Sequence, residues 1–238
     1  MIPRSYVIIG CGHFGGRAAE KLCGKDPESR IIGVDKNEKA IRKICHLPCE
    51  TVICDGLSYL GRFFKKSRSA TYILPAVPFH LAFEFILSQL KPLGARREKV
   101  PALSGVPAPV SGKKGDLYTS LSDFLCPENC LEPAQYCTAT REKRKRPLYK
   151  ILTDPRGPFE SRVIRSHQLG PGMGGFRYID LLDLLENLTR TMIPGRLILI
   201  STASRCHGVT SALSFKTTRN HGSDAPPLPY DRSVETCR

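Results

Sequence analysis

The sequence predicts an α/β protein: a doubly wound parallel sheet, followed by a cysteine-rich insertion and a C-terminal βαβ-like extension. Three observations carry that prediction. Short runs of strand character alternate with helix-forming runs across the first ninety residues, the rhythm of a parallel sheet wound in the right-handed sense. Glycines spaced G-x-G-x-x-G join the first strand to the first helix. The 238 residues are 41% hydrophobic and 24% charged, enough to bury a core, which excludes a disordered or fibrous chain.

Taken in order, Tyr6 to Ile9 is the first strand; it runs straight into Gly10-x-Gly12-x-x-Gly15, and Arg17 to Leu22 follows as a helix. In that setting Gly10 permits the tight turn, Gly12 lets a pyrophosphate approach the backbone, and Gly15 lets the helix close on the strand. The helix start then offers free amides and a positive dipole end to phosphates. The second strand, "RIIGVD", brings Asp35 twenty residues after Gly15. A carboxylate there accepts hydrogen bonds from ribose hydroxyls and repels a 2′-phosphate, so the expected ligand is NAD(H) and the expected fold Rossmann-like. "NEKAIRKI" is a helix with Ala40, Ile41 and Ile44 on one face, and "CETVICDG" is a third strand ending at Asp55-Gly56. A basic helix spans Leu57 to Lys66, "ATYILPAV" is the fourth strand, and "PFHLAFEFILSQL" is the helix behind it. Ligands of such sheets gather at the carboxyl ends of strands. The candidate nucleotide-contacting residues are therefore Gly10, Cys11, Gly12, His13, Phe14, Gly15, Asp35, Lys36, Asp55, Gly56 and Ala76. His80 opens an apolar helix and reads as a packed or capping residue. No Tyr-x-x-x-Lys pair and no His-Asp pairing on separate strand ends is present, so no catalytic residue is assigned.

The segments "YVIIGCGHFGGRAAEKL", "IIGVDKNEKAIRKI" and "CETVICDGLSYL" resemble the NAD-binding regulatory domain of Trk-type potassium-uptake systems, the RCK N-terminal domain, over roughly residues 5–90. The resemblance implies a Rossmann domain with the pyrophosphate at Gly10, Gly12 and Gly15, the ribose at Asp35 and the adenine near Asp55. It also implies a nucleotide- or redox-responsive regulator whose partners are a membrane transporter or further copies of itself. Cys54 stands where that family usually carries glycine, and nothing downstream resembles its usual C-terminal ligand-binding module.

Residues 1–93 thus form the expected NAD-binding domain, and 94–115, with three prolines and no period, a linker or crossing segment. In the cysteine-rich half, 116–215, "DLYTSLSDFL" reads as a short helix leading into Cys126, Cys130 and Cys137, spaced C-x3-C-x6-C and stiffened by Pro127 and Pro133. "SRVIRSHQL" reads as a strand, and Gly170 to Gly175 as a tight connection, since Pro171 removes an amide that a phosphate would want. "RYIDLLDLLENLTR" is an amphipathic helix, "RLILIST" a strand, and "ASRCHGVTSAL" the start of a further helix. That order sets Arg205, Cys206 and His207 at a strand's carboxyl end. The sharpest expectation is that Cys126, Cys130, Cys137 and Cys206, with His207 as substitute, meet as one metal centre, zinc or an iron–sulfur cluster. Residues 216–238 read as a disordered tail.

Net charge is +14, from 36 Lys and Arg against 22 Asp and Glu. The basic runs at 61–68, 91–99 and 141–146 read as solvated faces. No helix-turn-helix, zinc-finger spacing or aromatic-basic interleaving accompanies them, so nucleic acid is not an expected partner. The apolar stretch from Thr71 to Leu90 contains Pro75, Pro78, His80 and Glu84 and does not read as a membrane span. With no export signal at the start, the ten cysteines suit reduced thiols in a cytoplasmic protein better than a disulfide framework. Besides the regulator, two classes stay open: a small NAD-dependent oxidoreductase with a zinc or iron–sulfur centre, and a basic interaction module on a Rossmann scaffold.

Overall fold

A computed structural model describes residues 4–63, 70–144 and 146–216. At its centre lies β1 (Ser5–Ile9), which buries both faces: Tyr6 and Ile8 point to one side, Val7 and Ile9 to the other. That is the two-residue period of an interior strand covered on both sides. Around it follow α1 (His13–Lys25), β2 (Arg30–Asp35), α2 (Glu38–Arg42), β3 (Glu50–Ile53), α3 (Gly56–Phe63), β4 (Thr71–Pro75) and α4 (Leu81–Leu90). The four strands are parallel in the order β3-β2-β1-β4. Asn37 caps α2, its side-chain oxygen accepting from the Lys39 amide at 3.0 Å.

Beyond residue 94 the architecture departs from expectation. The segment read as a linker supplies β5 (Ala95–Glu98) and the short β6 (Val110–Ser111). The stretch read as a helix at 116–125 contains β7 (Leu117–Ser120), in which Leu117 and Thr119 are buried and Tyr118 is exposed. After α5 (Leu148–Ile151), the run read as one strand is two: β8 (Glu160–Arg165) and β9 (His167–Gly170), parted at Ser166 and lying in different sheets. β10 (Met173–Arg177), α6 (Tyr178–Arg190), β11 (Ile198–Ala203) and β12 (His207–Phe215) complete the order. The helix expected after "RLILIST" is therefore a strand. β12 pairs with β11 on one edge and with β7 and β5 on the other, and that pairing overrides the helix-forming Ala212 and Leu213.

The result is a mixed α/β protein with two mixed sheets. In the first, β10 adds antiparallel to β4 and β9 antiparallel to β10, so the expected all-parallel sheet is parallel only over four strands. The second runs β6-β7-β12-β11-β8, with β5 also on β12; only β11 and β8 are parallel. α4 and α6 lie between the sheets. Phe83, Phe85, Leu181 and Leu185 share one buried cluster with Val7 and Ile9 of the first sheet and Ile198 and Ile200 of the second. Of the expected tail only Lys216 falls within the described residues. Among those residues no helix is long and apolar enough to cross a membrane.

Candidate functional site

The glycine turn is built as its spacing requires. Gly10 has φ +93°, and a Cβ there would stand 2.5 Å from the Ala76 carbonyl oxygen, so only glycine lets β1 and β4 end side by side. A Cβ at Gly15 would overlap the Gly10 carbonyl, whereas at Gly12 it would meet no heavy atom within 4 Å. Gly12 is also the N-cap of α1, with no side-chain cap and no acidic residue in the first turn. The open space and the unoccupied amides coincide, which suits an anion. Asp35 sits beside them: its Oδ2 accepts from the Cys11 amide at 2.7 Å and its Oδ1 from the Asn37 amide at 2.8 Å. The carboxylate therefore ties the end of β2 to the glycine turn and retains lone pairs for a ligand hydroxyl.

The other candidates fall on the same rim. Burial pushes the Cys11 thiol up to about 12, with the Asp35 charge adding to it, so Cys11 is a packing residue there. His13 and Phe14 are exposed at the start of α1, and Lys36 is exposed after β2. Asp55 caps α3, accepting from the Leu57 amide at 3.1 Å and the Ser58 amide at 3.0 Å. Gly56 lets that helix approach Ile9. Ala76, at the end of β4, donates its amide to the Ile9 carbonyl at 2.8 Å.

A cavity of about 690 Å³ opens beyond β4, between the two sheets. Cys126, Cys130, Cys137, Cys206 and His207 all line it. The sequence placed these residues together, and the fold does so by folding the 121–144 segment back over the β11–β12 turn. Their partners are specific. Cys126 Sγ lies 3.4 Å from His207 Nε2, and His207 Nδ1 lies 3.1 Å from Ser120 Oγ. Cys130 Sγ meets Thr138 Oγ1 at 3.1 Å. Cys206 Sγ is contacted by the Arg144 guanidinium. The Cys137 thiol is held below its ordinary value, chiefly by the Thr140 amide. Zinc or an iron–sulfur cluster needs its ligands within bonding reach of one point. Among the described residues no three His, Cys, Asp or Glu side chains stand so.

Several cavity residues carried no signal in the sequence. Glu132, at φ +47°, holds the β11–β12 turn: its Oε1 accepts from Ser204 Oγ at 2.5 Å and from the Cys206 amide at 3.1 Å. A non-glycine residue in that conformation is costly and persists where its contacts fix it. Arg144 comes from the basic run, and Arg97 from the run before it is likewise turned inward, bonding Glu84 and Asp116 at 2.6 and 2.7 Å. His80 is fully enclosed, Nδ1 2.8 Å from Ser211 Oγ and Nε2 2.9 Å from Thr202 Oγ1, the latter on the cavity wall. Burial also lowers the His207 pKa, helped by Arg144 and opposed by Glu132, which keeps its imidazole neutral near pH 7.

The cavity adjoins the glycine turn. A smaller cleft of about 220 Å³, containing Phe14, Arg17 and Ala76, shares Pro75, Pro127, Gly172 and Gly174 with it. Cations on successive turns of α1 hold this wall: Arg17 pairs with Glu128, while Lys21 and Lys25 donate to the Pro171 and Leu169 carbonyls at 2.8 and 2.6 Å.

Fold and cavity together define a mixed α/β protein with a ligand-sized chamber between two sheets. The chain belongs to the AF_1314_C family, whose model, described as "Uncharacterized protein, C-terminal domain", matches residues 82–216. That span carries the four cavity cysteines and His207 but not the glycine turn. The chain is also similar to a protein of Archaeoglobus fulgidus bearing the name "Uncharacterized protein", 28% identical over 224 residues that cover 87% of this chain and 98% of the relative. No solved structure matches significantly.

Proposed function

We propose that this protein binds NAD(H) at the Gly10–Gly15 turn and Asp35, on a Rossmann-like half-sheet, and that the cavity beyond β4 holds a small molecule to be oxidised or reduced. The observation that carries the reading is the open, uncapped start of α1 beside the Asp35 carboxylate, at the carboxyl ends of four parallel strands and next to a chamber of about 690 Å³. A dinucleotide laid across that edge with its ribose at Asp35 extends its other half over β4, toward the chamber. The clamp from α1 onto the cysteine segment supports a second use of the same site. Nucleotide at the start of α1 would then be sensed by that segment, in the regulatory manner the Trk-type resemblance implies, with a transporter or a second copy as partner.

Calorimetry tests the nucleotide directly. NAD(H) is expected to bind more tightly than NADP(H), because the Asp35 carboxylate repels a 2′-phosphate. Gly12→Val is expected to abolish binding with little change in melting temperature, since its side chain enters ligand space and not the core. A preference for NADP(H) would remove Asp35 from the role given to it.

A further inference from the structure

We infer that Cys126 is the nucleophile of a covalent aldehyde-oxidising site, with His207 as its base and Ser120 positioning His207. The inference rests on the NAD(H) reading and names the substrate class of that chamber. Three residues from three segments converge. Cys126 comes from the proline-stiffened loop, His207 opens β12, and Ser120 ends β7, paired directly across from His207 in the sheet. With Nδ1–H donating to Ser120 Oγ at 3.1 Å, the Nε2 lone pair faces the Cys126 thiol at 3.4 Å. A neutral imidazole in that tautomer is a base for the thiol, and a thiolate is the nucleophile. Cys126 and His207 both open onto the cavity, and Arg144 adds positive charge to its wall.

The substrate class follows from combining a cysteine nucleophile with a hydride acceptor. A thiolate adds to carbonyl carbon, and among such adducts it is that of an aldehyde which still carries a hydrogen to give up as hydride. The balance is complete. His207 takes the thiol proton as Cys126 Sγ bonds to the aldehyde carbon, and returns it to the former carbonyl oxygen, which becomes the thiohemiacetal hydroxyl. Hydride leaves that carbon for NAD+ and the hydroxyl proton is lost, leaving a thioester on Cys126. Water then adds with His207 as base, the carbon–sulfur bond breaks, and Cys126 recovers its proton. The sum is aldehyde, NAD+ and water giving carboxylate, NADH and two protons.

The test reads the cysteine by mass spectrometry, separately from turnover. Iodoacetamide at limiting amounts is expected to label Cys126 ahead of Cys130 and Cys137. The rate of that labelling is read across pH. His207→Gln is expected to slow that labelling about tenfold at pH 7 and move its pH profile up. A purely structural histidine would not shift that profile. Incubation with NAD+ and propanal, benzaldehyde or succinate semialdehyde should leave an acyl adduct on Cys126. Cys126→Ser should lose the adduct while calorimetry shows NAD+ still bound. Bound NAD+ with no adduct from any of the three aldehydes overturns this inference alone, and failure to bind NAD+ overturns both readings. Stoichiometric zinc or iron lost in Cys126→Ser also overturns it, because Cys126 would then be a ligand.

Discussion

Burial keeps His80 neutral far into acid: desolvation drives its pKa down to about 3, with Arg97 adding to the fall and Asp116 opposing it. In the unfolded chain it titrates near 6.5, so between these values the unfolded state holds the extra proton. Stability from this group is complete above about pH 6.5 and is lost as pH falls toward 3. Urea midpoints for wild type should therefore drop between pH 7 and 5 by the equivalent of about 2 kcal/mol from His80. His80→Gln should flatten that part of the curve, and an unchanged slope would show the proton is taken up elsewhere. The sequence classified His80 correctly as a packed residue, from its place at the head of an apolar helix. Its hydroxyl partners, Thr202 and Ser211, lie 122 and 131 residues away, and no local pattern announces them. The Cys126–His207 pair, 81 residues apart, is hidden for the same reason. Only the shared chemistry of the cysteines and His207 suggested that they meet.

At the scale of elements, local signals were legible and pairings were not. The glycine turn, the strand ends at Asp35 and Ala76 and the helices between them follow from periods of two and 3.6 in contiguous residues. β7 and β12 are strands because they find each other, and their own residues do not decide it. The β9–β10 hairpin shows the same dependence. Gly172 at its turn has φ +68°, a Cβ there would overlap the Glu128 carbonyl, and its amide donates to the Cys130 carbonyl at 2.9 Å. Gly172→Ala is expected to cost about 1–3 kcal/mol through the backbone conformation alone. It should also lift the cysteine segment from the hairpin, so that Cys130 labels faster with iodoacetamide. A lower melting temperature with unchanged Cys130 labelling would mean that the hairpin does not hold the segment down.

Across the whole molecule, the cluster between the sheets makes one cooperative unit of both. Leu185 on α6 is almost fully buried within it. Leu185→Ala should cost about 2–5 kcal/mol. Hydrogen exchange should then rise together in β1 and β11, one in each sheet; faster exchange confined to β11 would show that the sheets open separately. The sequence divided the chain by composition near residue 93, where a stretch without period begins, yet β10 seals the edge of β4 from more than eighty residues further on. That covering strand has a consequence for the order of events during synthesis. Until Arg177 has left the ribosome, β4 exposes a row of unpaired backbone groups, and α4 has no α6 to rest on. The nascent parallel half of the first sheet is born with a raw margin, and its completion waits on residues translated long after its own last strand.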